Sequence, residues 1–449
     1  MRKLALIGLD CADPVLLAEL LPGLPTLREL AASGSFARLR SVDPPITIPA
    51  WMCMMTGKDP GELGVYGFRN RKDTSYAGLG VASSASFSAP AVWDLLGERG
   101  LRSILIGVPG TYPPKPVKGL LVSCFLAPST EVAFTYPATL REKVKALAGE
   151  YLFDAREFRT EDKARLVEEV VAMTKRRFAL VRGLVSTEPW DFLAAVEIGP
   201  DRMHHAFFAH HDPRHPKHDP ASPFRDALRE YYQLLDQEIA ALLSDLPSRT
   251  RVLVVSDHGV QRLEGGIALN EWLIRAGYLA LKADSLEPGT RLGDLVREGL
   301  VDWSRTIAWG EGGYYGRIFL NVAGREPEGA IPSSECEIVR TKLARELAAI
   351  PDEEGRPIGT RVLFPEEIYR EVRGIAPDLL VYFGDLRFRS IGTVGWGRIH
   401  LRENDTGPDD ANHAPYGILI DYPSEQKGGD RSILEVKDLI LAHFDKEAS

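Results

Sequence analysis

The chain is short of cysteine, of long hydrophobic runs and of surplus positive charge, and each shortage excludes something. Four cysteines in 449 residues, Cys11, Cys53, Cys124 and Cys336, have no paired or CxxC spacing. Thiols so few and scattered fit reduced cysteines in a reducing compartment. No stretch approaches the roughly 18 apolar residues of a membrane span. Met-Arg-Lys before an apolar run imitates a signal peptide, but the run is only Leu4 to Leu9 and ends at Asp10. That is too short for an h-region, and no small-residue cleavage site follows. The expectation is a soluble, cytoplasmic protein with no membrane span. Lys and Arg number 54 against 63 Asp and Glu, a net charge of −9. Such a balance argues against bulk binding to nucleic acid, duplex included, or to anionic lipid. Bound cations escape a formal count, so local positive potential stays open. There is no internal repeat and no low-complexity tract.

What is present is a globular composition, 44% hydrophobic and 26% charged, long enough for one large α/β domain with insertions or two or three smaller ones. Leu4–Leu9 reads as a buried strand, and Asp13-Pro14 opens an amphipathic helix to about Ala32. A strand at about Phe36–Ser41 leads into Pro44-Pro45, and Pro49 suits the first turn of a helix from Ala50 to about Met55. Further on, the pattern predicts helices at 91–99, 137–148, 161–186, 224–243, 333–349 and 432–445. Between them come strands at 103–108, 120–125, 192–196, 251–256, 318–321, 379–383 and 416–420. Helices alternating with continuous apolar strands mean a largely parallel sheet covered on both faces. The pattern loosens between about 260 and 332, the best candidate for a site-covering insertion. His210–Pro220, with four histidines, reads as a solvated loop.

Seven residues stand where hydrophobic runs stop or helices begin: Asp10, Thr47, Asp201, His205, Asp257, His258 and His413. Two divalent cations about 4 Å apart, with a nucleophile one of them activates, need roughly this inventory. Asp10 ends the first strand, where open α/β sheets collect ligands; Asp13 is the better helix cap, which leaves Asp10 without a structural task. Asp257-His258 also ends a buried run, and Gly259 permits the turn that lets both side chains meet one ion. If Pro200 starts a helix, Asp201 and His205 share a face at i and i+4, although His204 at i+3 is equally within reach. Thr47 precedes a short helix whose N-terminus suits a phosphate; alone it reads as a cap, and only a metal would make it nucleophilic. His413 alone reads as a loop histidine.

In combination these residues identify the chain as a member of the alkaline phosphatase superfamily, in its type I phosphodiesterase and nucleotide pyrophosphatase branch, similar to the prokaryotic phosphohydrolase/phosphomutase group. The resemblance is carried in family order by LIGLDCADP at 6–14, PPITIPAWMCMMTGKDPGELGVYGF at 44–68, GPDRMHHAF at 199–207 and VVSDHG at 254–259. LNEWLIRAGYL at 269–279, IFLNVAGREPEG at 318–329, APDLLVYF at 376–383 and NHAPYGILI at 412–420 continue it. It implies an alkaline-phosphatase-like three-layer α/β sandwich and one catalytic domain over 1–449. It also implies that Asp10, Thr47, Asp257 and His258 hold the metal that activates Thr47, and that Asp201, His205 and His413 hold a second. Zinc suits imidazole and carboxylate donors, with manganese the alternative. The implied activity is hydrolysis of a small-molecule phosphoester, a diester by the habit of threonine in this branch, through a phospho-threonine intermediate.

Two positions depart from the family. Its nucleotide pyrophosphatases have an asparagine twenty-one residues after the nucleophile; here that position is Phe68, with Asn70 two residues on. The histidine frequent before the loop glycine is replaced by Leu63-Gly64. Nucleotide specificity therefore does not carry over. A phosphomonoesterase or phosphomutase on the same site would need a basic pocket, for which Arg202, Arg317, Arg325 and Arg398 are on offer. A sulfatase needs Cys or Ser in a C/S-x-P-x-R frame, which here reads Thr47-Ile48-Pro49-Ala50-Trp51. A non-catalytic binding protein would have lost ligands, and all seven positions keep competent types. Leaving group and oligomeric state stay open.

Overall fold

Every residue of strands Leu4–Leu9 and Phe192–Glu197 is buried, as is all but the first of Arg251–Val255. Strands that alternate in neither polarity nor burial belong inside a sheet covered on both faces. The structure, a computed structural model, describes residues 2–283, 285–424 and 428–445. Packing divides it into two compact units: Met1–Leu63, Ala82–Val260 and His413–Ser449 form the first, Gly64–Val81 and Gln261–Asn412 the second.

In the first unit those three strands are the middle of a nine-stranded sheet. Its order is Arg431–Ser432, Ser35–Arg40, Tyr416–Tyr422, Arg251–Val255, Leu4–Leu9, Phe192–Glu197, Ser103–Ile106, Gly119–Val122 and Thr135–Tyr136. The five strands from Arg251–Val255 to Gly119–Val122 run parallel. Thr135–Tyr136 and Tyr416–Tyr422 flank them antiparallel. The expected parallel sheet is thus the centre of a mixed one.

Local corrections have local causes. Asp13 does cap a helix, accepting from the Val15 and Leu16 amides, but that helix is only Pro14–Leu20. A 3-10 turn, Leu21–Gly23, and a second helix, Pro25–Ser33, replace the single helix expected to Ala32. Pro22 and Pro25 have no N–H to give, and a proline ring clashes with the preceding helical turn. The next helix, Thr47–Thr56, starts three residues before the expected Ala50 and keeps Pro49 in its first turn. Helix Gly199–His211 absorbs His210 and His211, so the expected histidine loop begins only at Asp212.

The second unit contains the stretch where the alternation loosens. Its antiparallel sheet has the order Ala308–Glu311, Gly316–Leu320, Leu379–Tyr382, Arg361–Leu363. Its core includes Trp303, Trp309 and Phe319, with Tyr76 stacked on Trp303 at 3.6 Å between ring centroids. Arg71 pairs with Glu326 at 2.9 Å, both buried, and Arg325 with Asp378 at 2.7 Å. No described helix is long and apolar enough to cross a membrane.

Candidate metal centre

All seven candidate residues lie in the first unit, and sheet register explains why they meet. Leu9 pairs with Glu197 and Gly8 with Val255, so three neighbouring parallel strands finish level. Asp10 follows the first, Asp201 the second by way of the Gly199–His211 helix, and Asp257 the third. Tyr416–Tyr422 runs the other way, Leu419 opposite Val255, so the chain entering it, with His413, is at the same end. Ser35–Arg40 is antiparallel to that strand, Arg40 opposite Tyr416, and the chain leaving it reaches Thr47 there too.

Asp10, Asp257 and His258 form one group and Asp201, His205 and His413 another; within each, one potential ligand atom per residue lies within 4.8 Å of the others. In the first, His258 Nε2 is 3.2 Å from Asp257 Oδ2 and 3.9 Å from Asp10 Oδ1. The Thr47 hydroxyl is 3.4 Å from the same nitrogen. In the second, His205 Nε2 is 3.4 Å from Asp201 Oδ1 and 3.3 Å from His413 Nε2. The two groups adjoin: the His258 and His413 rings stack 3.8 Å apart, 17° from parallel.

Each carboxylate is held by one oxygen and presents the other. Asp10 Oδ2 accepts from Trp51 Nε1 at 2.7 Å, Asp257 Oδ1 from the Cys11 amide at 3.2 Å, and Asp201 Oδ2 from Arg202. Asp10 Oδ1, Asp257 Oδ2 and Asp201 Oδ1 are buried with no hydrogen-bond partner. A buried carboxylate oxygen without a partner is costly unless a cation meets it. Three of them turned toward imidazoles fit divalent metal ligation. Cys11 pays no direct part in either group, but it sits at φ 65°, a left-handed turn that brings its amide onto Asp257. His258 Nδ1 faces the Gly259 carbonyl at 3.1 Å and His413 Nδ1 the Pro45 carbonyl at 2.7 Å. These contacts orient each ring with Nε2 toward the acids.

The electrostatics agree. Burial, and then Asp201, pushes the Asp10 carboxyl well above the usual range; burial, and then Asp10, does the same to Asp257. Burial also opposes ionisation of Asp201, but His205 and Arg202 outweigh it and hold that carboxyl well below the usual range. Burial lowers His258 to about 4, and with His258 nearby it takes His413 well below its ordinary value. Neutral imidazole is the form that binds metal.

These shifts give the metal-free protein a pH-dependent contribution to stability. Between pH ~6.5 and 4 the unfolded chain binds a proton at His258 that the folded one refuses, so that stability is lost as pH falls through this window. The raised Asp10 and Asp257 act oppositely: their penalty grows as pH rises above the ordinary carboxylate range. A bound cation removes that penalty. Adding zinc or manganese at neutral pH should therefore raise the melting temperature, with about 4 kcal/mol of stabilisation at a thousandfold excess over Kd. Thermal scans of chelated and reloaded protein check this; no shift with either ion would count against both groups.

His204, equally placed by spacing, points elsewhere: its Nε2 is 3.2 Å from the Tyr232 hydroxyl, and burial lowers it to about 3. Thr47 is not a cap, since Ile46 holds the N-cap position. Of the arginines considered for phosphate, Arg202 pairs with Asp154 at 2.7 Å and with Asp201, and Arg325 is committed to Asp378 and Glu326. Asn70 accepts from the Tyr66 amide and donates to the Gly67 carbonyl, tying its own loop. Sequence reasoning missed Trp51 and the Cys11 amide. The available signal was Gly8, two residues before Asp10, and a tryptophan one turn after Thr47.

A mixed α/β sheet with two adjoining acid–histidine groups at its strand ends defines a class, metal-dependent hydrolases of phosphoric esters with the alkaline-phosphatase fold. The chain belongs to the type I phosphodiesterase / nucleotide pyrophosphatase family, which matches residues 4–409. Its fold is similar to phosphonoacetate hydrolase from Sinorhizobium meliloti 1021, solved with phosphonoformate: 14% identity over 98% of this chain and 96% of that one, TM-score 0.64. Human ectonucleotide pyrophosphatase / phosphodiesterase 5 is similar at 13% identity over 99% and 95%, TM-score 0.54. An inactive threonine-to-alanine form of the murine protein, in complex with AMP, gives 11% identity over 99% and 95%, TM-score 0.54. No curated protein matches the chain.

Proposed function

We propose that the chain is a phosphodiesterase with Thr47 as nucleophile and two divalent cations, zinc by donor set, and that it acts in two displacements through phospho-threonine. On this reading Asp10, Thr47, Asp257 and His258 hold one cation and Asp201, His205 and His413 the other. The observation that carries it is the pair of adjoining groups with three unpartnered carboxylate oxygens. When bound, the cations supply Lewis-acid polarisation and lower the pKa of a hydroxyl or water. The chain supplies the rest. Thr47 is the first residue of its helix, where unpaired amides and the positive end of the dipole suit a phosphoryl group. Its Oγ forms the bond to phosphorus as the bond to the leaving oxygen breaks, and water then cleaves the phospho-threonine. The whole chain acts as one catalytic domain, on a small-molecule phosphoester, in the cytoplasm.

The choice of diester is supported by a threonine at the attacking position, and a threonine replacement marks the inactive murine relative solved with AMP. Matched nitrophenyl diester, monoester, phosphonate and sulfate substrates on metal-loaded protein test it. Fastest turnover of the diester is expected; a monoester preference would transfer the reading to a phosphomonoesterase or phosphomutase on the same residues.

A further inference from the structure

We propose that Trp51 is a positioning residue that aims Asp10 at its ion and sets the register of the Thr47 helix, with Gly8 a glycine to make room for it. The proposal rests on the two-cation reading above. Trp51 follows Thr47 by four residues in the same helix, so the two side chains share a face. Its indole is fully buried, and Nε1 donates to Asp10 Oδ2 at 2.7 Å. That bond engages one carboxylate oxygen and leaves Oδ1, without a hydrogen bond and 3.9 Å from His258 Nε2, on the side of the first group. At the start of the helix the Thr47 hydroxyl is 3.4 Å from His258 Nε2. One rigid element therefore touches the first group at two points, with the nucleophile on one ligand and a clamp on another. A slip of the helix would disturb both together.

Gly8 shows that strand Leu4–Leu9 accommodates this contact. A Cβ there would come within 2.4 Å of Trp51 Cη2 and 2.9 Å of Val196 Cγ2. Gly8 is not among the positive-φ glycines, so clearance and not conformational freedom requires it. The strand gives up a side chain two residues before Asp10, and the indole fills the space. Partners that orient a metal ligand commonly matter 10–100-fold in metal affinity or activity.

The test is zinc titration calorimetry on metal-free protein, with steady-state kinetics on the best nitrophenyl substrate. Trp51→Phe keeps an aromatic ring and removes the donor. One of two zinc sites should weaken by roughly 10- to 100-fold, and kcat should fall with KM unchanged, because ground-state contacts to substrate are untouched. Gly8→Ala keeps the indole but displaces it, and should weaken the same site; it also carries the test if circular dichroism shows that Trp51→Phe does not fold. Asp10→Asn reports on the underlying reading: should it keep both ions as tightly as the wild type, Asp10 is not a ligand and the assignment of the first cation to Asp10, Asp257 and His258 fails. If Asp10→Asn loses an ion while folded Trp51→Phe or Gly8→Ala binds two as tightly as the wild type, Trp51 is packing alone and the proposal is overturned. A raised KM at constant kcat would overturn it as well.

Discussion

Thr47→Ala should abolish most turnover, lowering kcat on the order of 10³-fold or more, while the protein stays folded and keeps both ions. The size follows from removing the attacking atom: deleting a nucleophile leaves only binding and charge stabilisation. The selectivity follows from position. Thr47 is buried at the first turn, but Ile46 is the N-cap and the hydroxyl caps nothing. Its loss should therefore cost only about 1 kcal/mol of stability. Asp10, Asp257 and His258 remain to hold the first cation. Thr47→Ser should retain activity, since it keeps the oxygen and drops a methyl. Rapid-quench trapping of phosphoprotein in wild type and variant measures the step directly. A Thr47→Ala protein with near-normal kcat would make water the attacking group and remove the covalent intermediate.

His413→Ala should lose the second cation while the first stays bound. It leaves Asp201 and His205 as the only protein ligands, so affinity should fall by more than the roughly 10- to 100-fold typical of losing an outer partner. The kcat should fall on the order of 10²-fold or more, because stabilisation of charge on the leaving oxygen goes with the ion. His400 is the control on the same polar stretch. Its Nε2 bonds the Pro351 carbonyl at 2.7 Å, outside either acid–histidine group, so His400→Ala should bind both ions normally. Metal analysis after dialysis against a buffered zinc pool distinguishes the two. Two ions retained in His413→Ala would remove this histidine from the centre.

The α/β class, the buried strands at 4–9, 192–196 and 251–256, and the acids that end them were legible because each is a local pattern. An apolar run closed by Asp10 or by Asp257-His258 needs no partner to be recognised. Asp13 as a cap was equally local, since its acceptor and the Val15 and Leu16 amides are adjacent in the chain. Local reasoning failed at Leu21–Gly23, where the apolar period runs on but two prolines break the helix.

The residue types, their order and their place at strand ends were therefore determined by the sequence itself. Spacing alone could not decide between His204 and His205, because i+3 and i+4 share a helix face, and only the resemblance favoured His205; in the fold His204 turns onto Tyr232 while His205 lies against Asp201 and His413. Nor could the sequence show that His413, read locally as a loop histidine, stacks on His258 more than 150 residues away. That contact depends on the antiparallel register of Tyr416–Tyr422 against Arg251–Val255, a pairing between distant segments. Arg202 looked available for phosphate until the fold set it between Asp154 and Asp201. The oxygens left without partners exist only in the folded chain. Burial removes water from three carboxylates and hydrogen bonds engage one oxygen of each; the residue types suggested cations, but the three oxygens that a cation would meet are brought together only by packing.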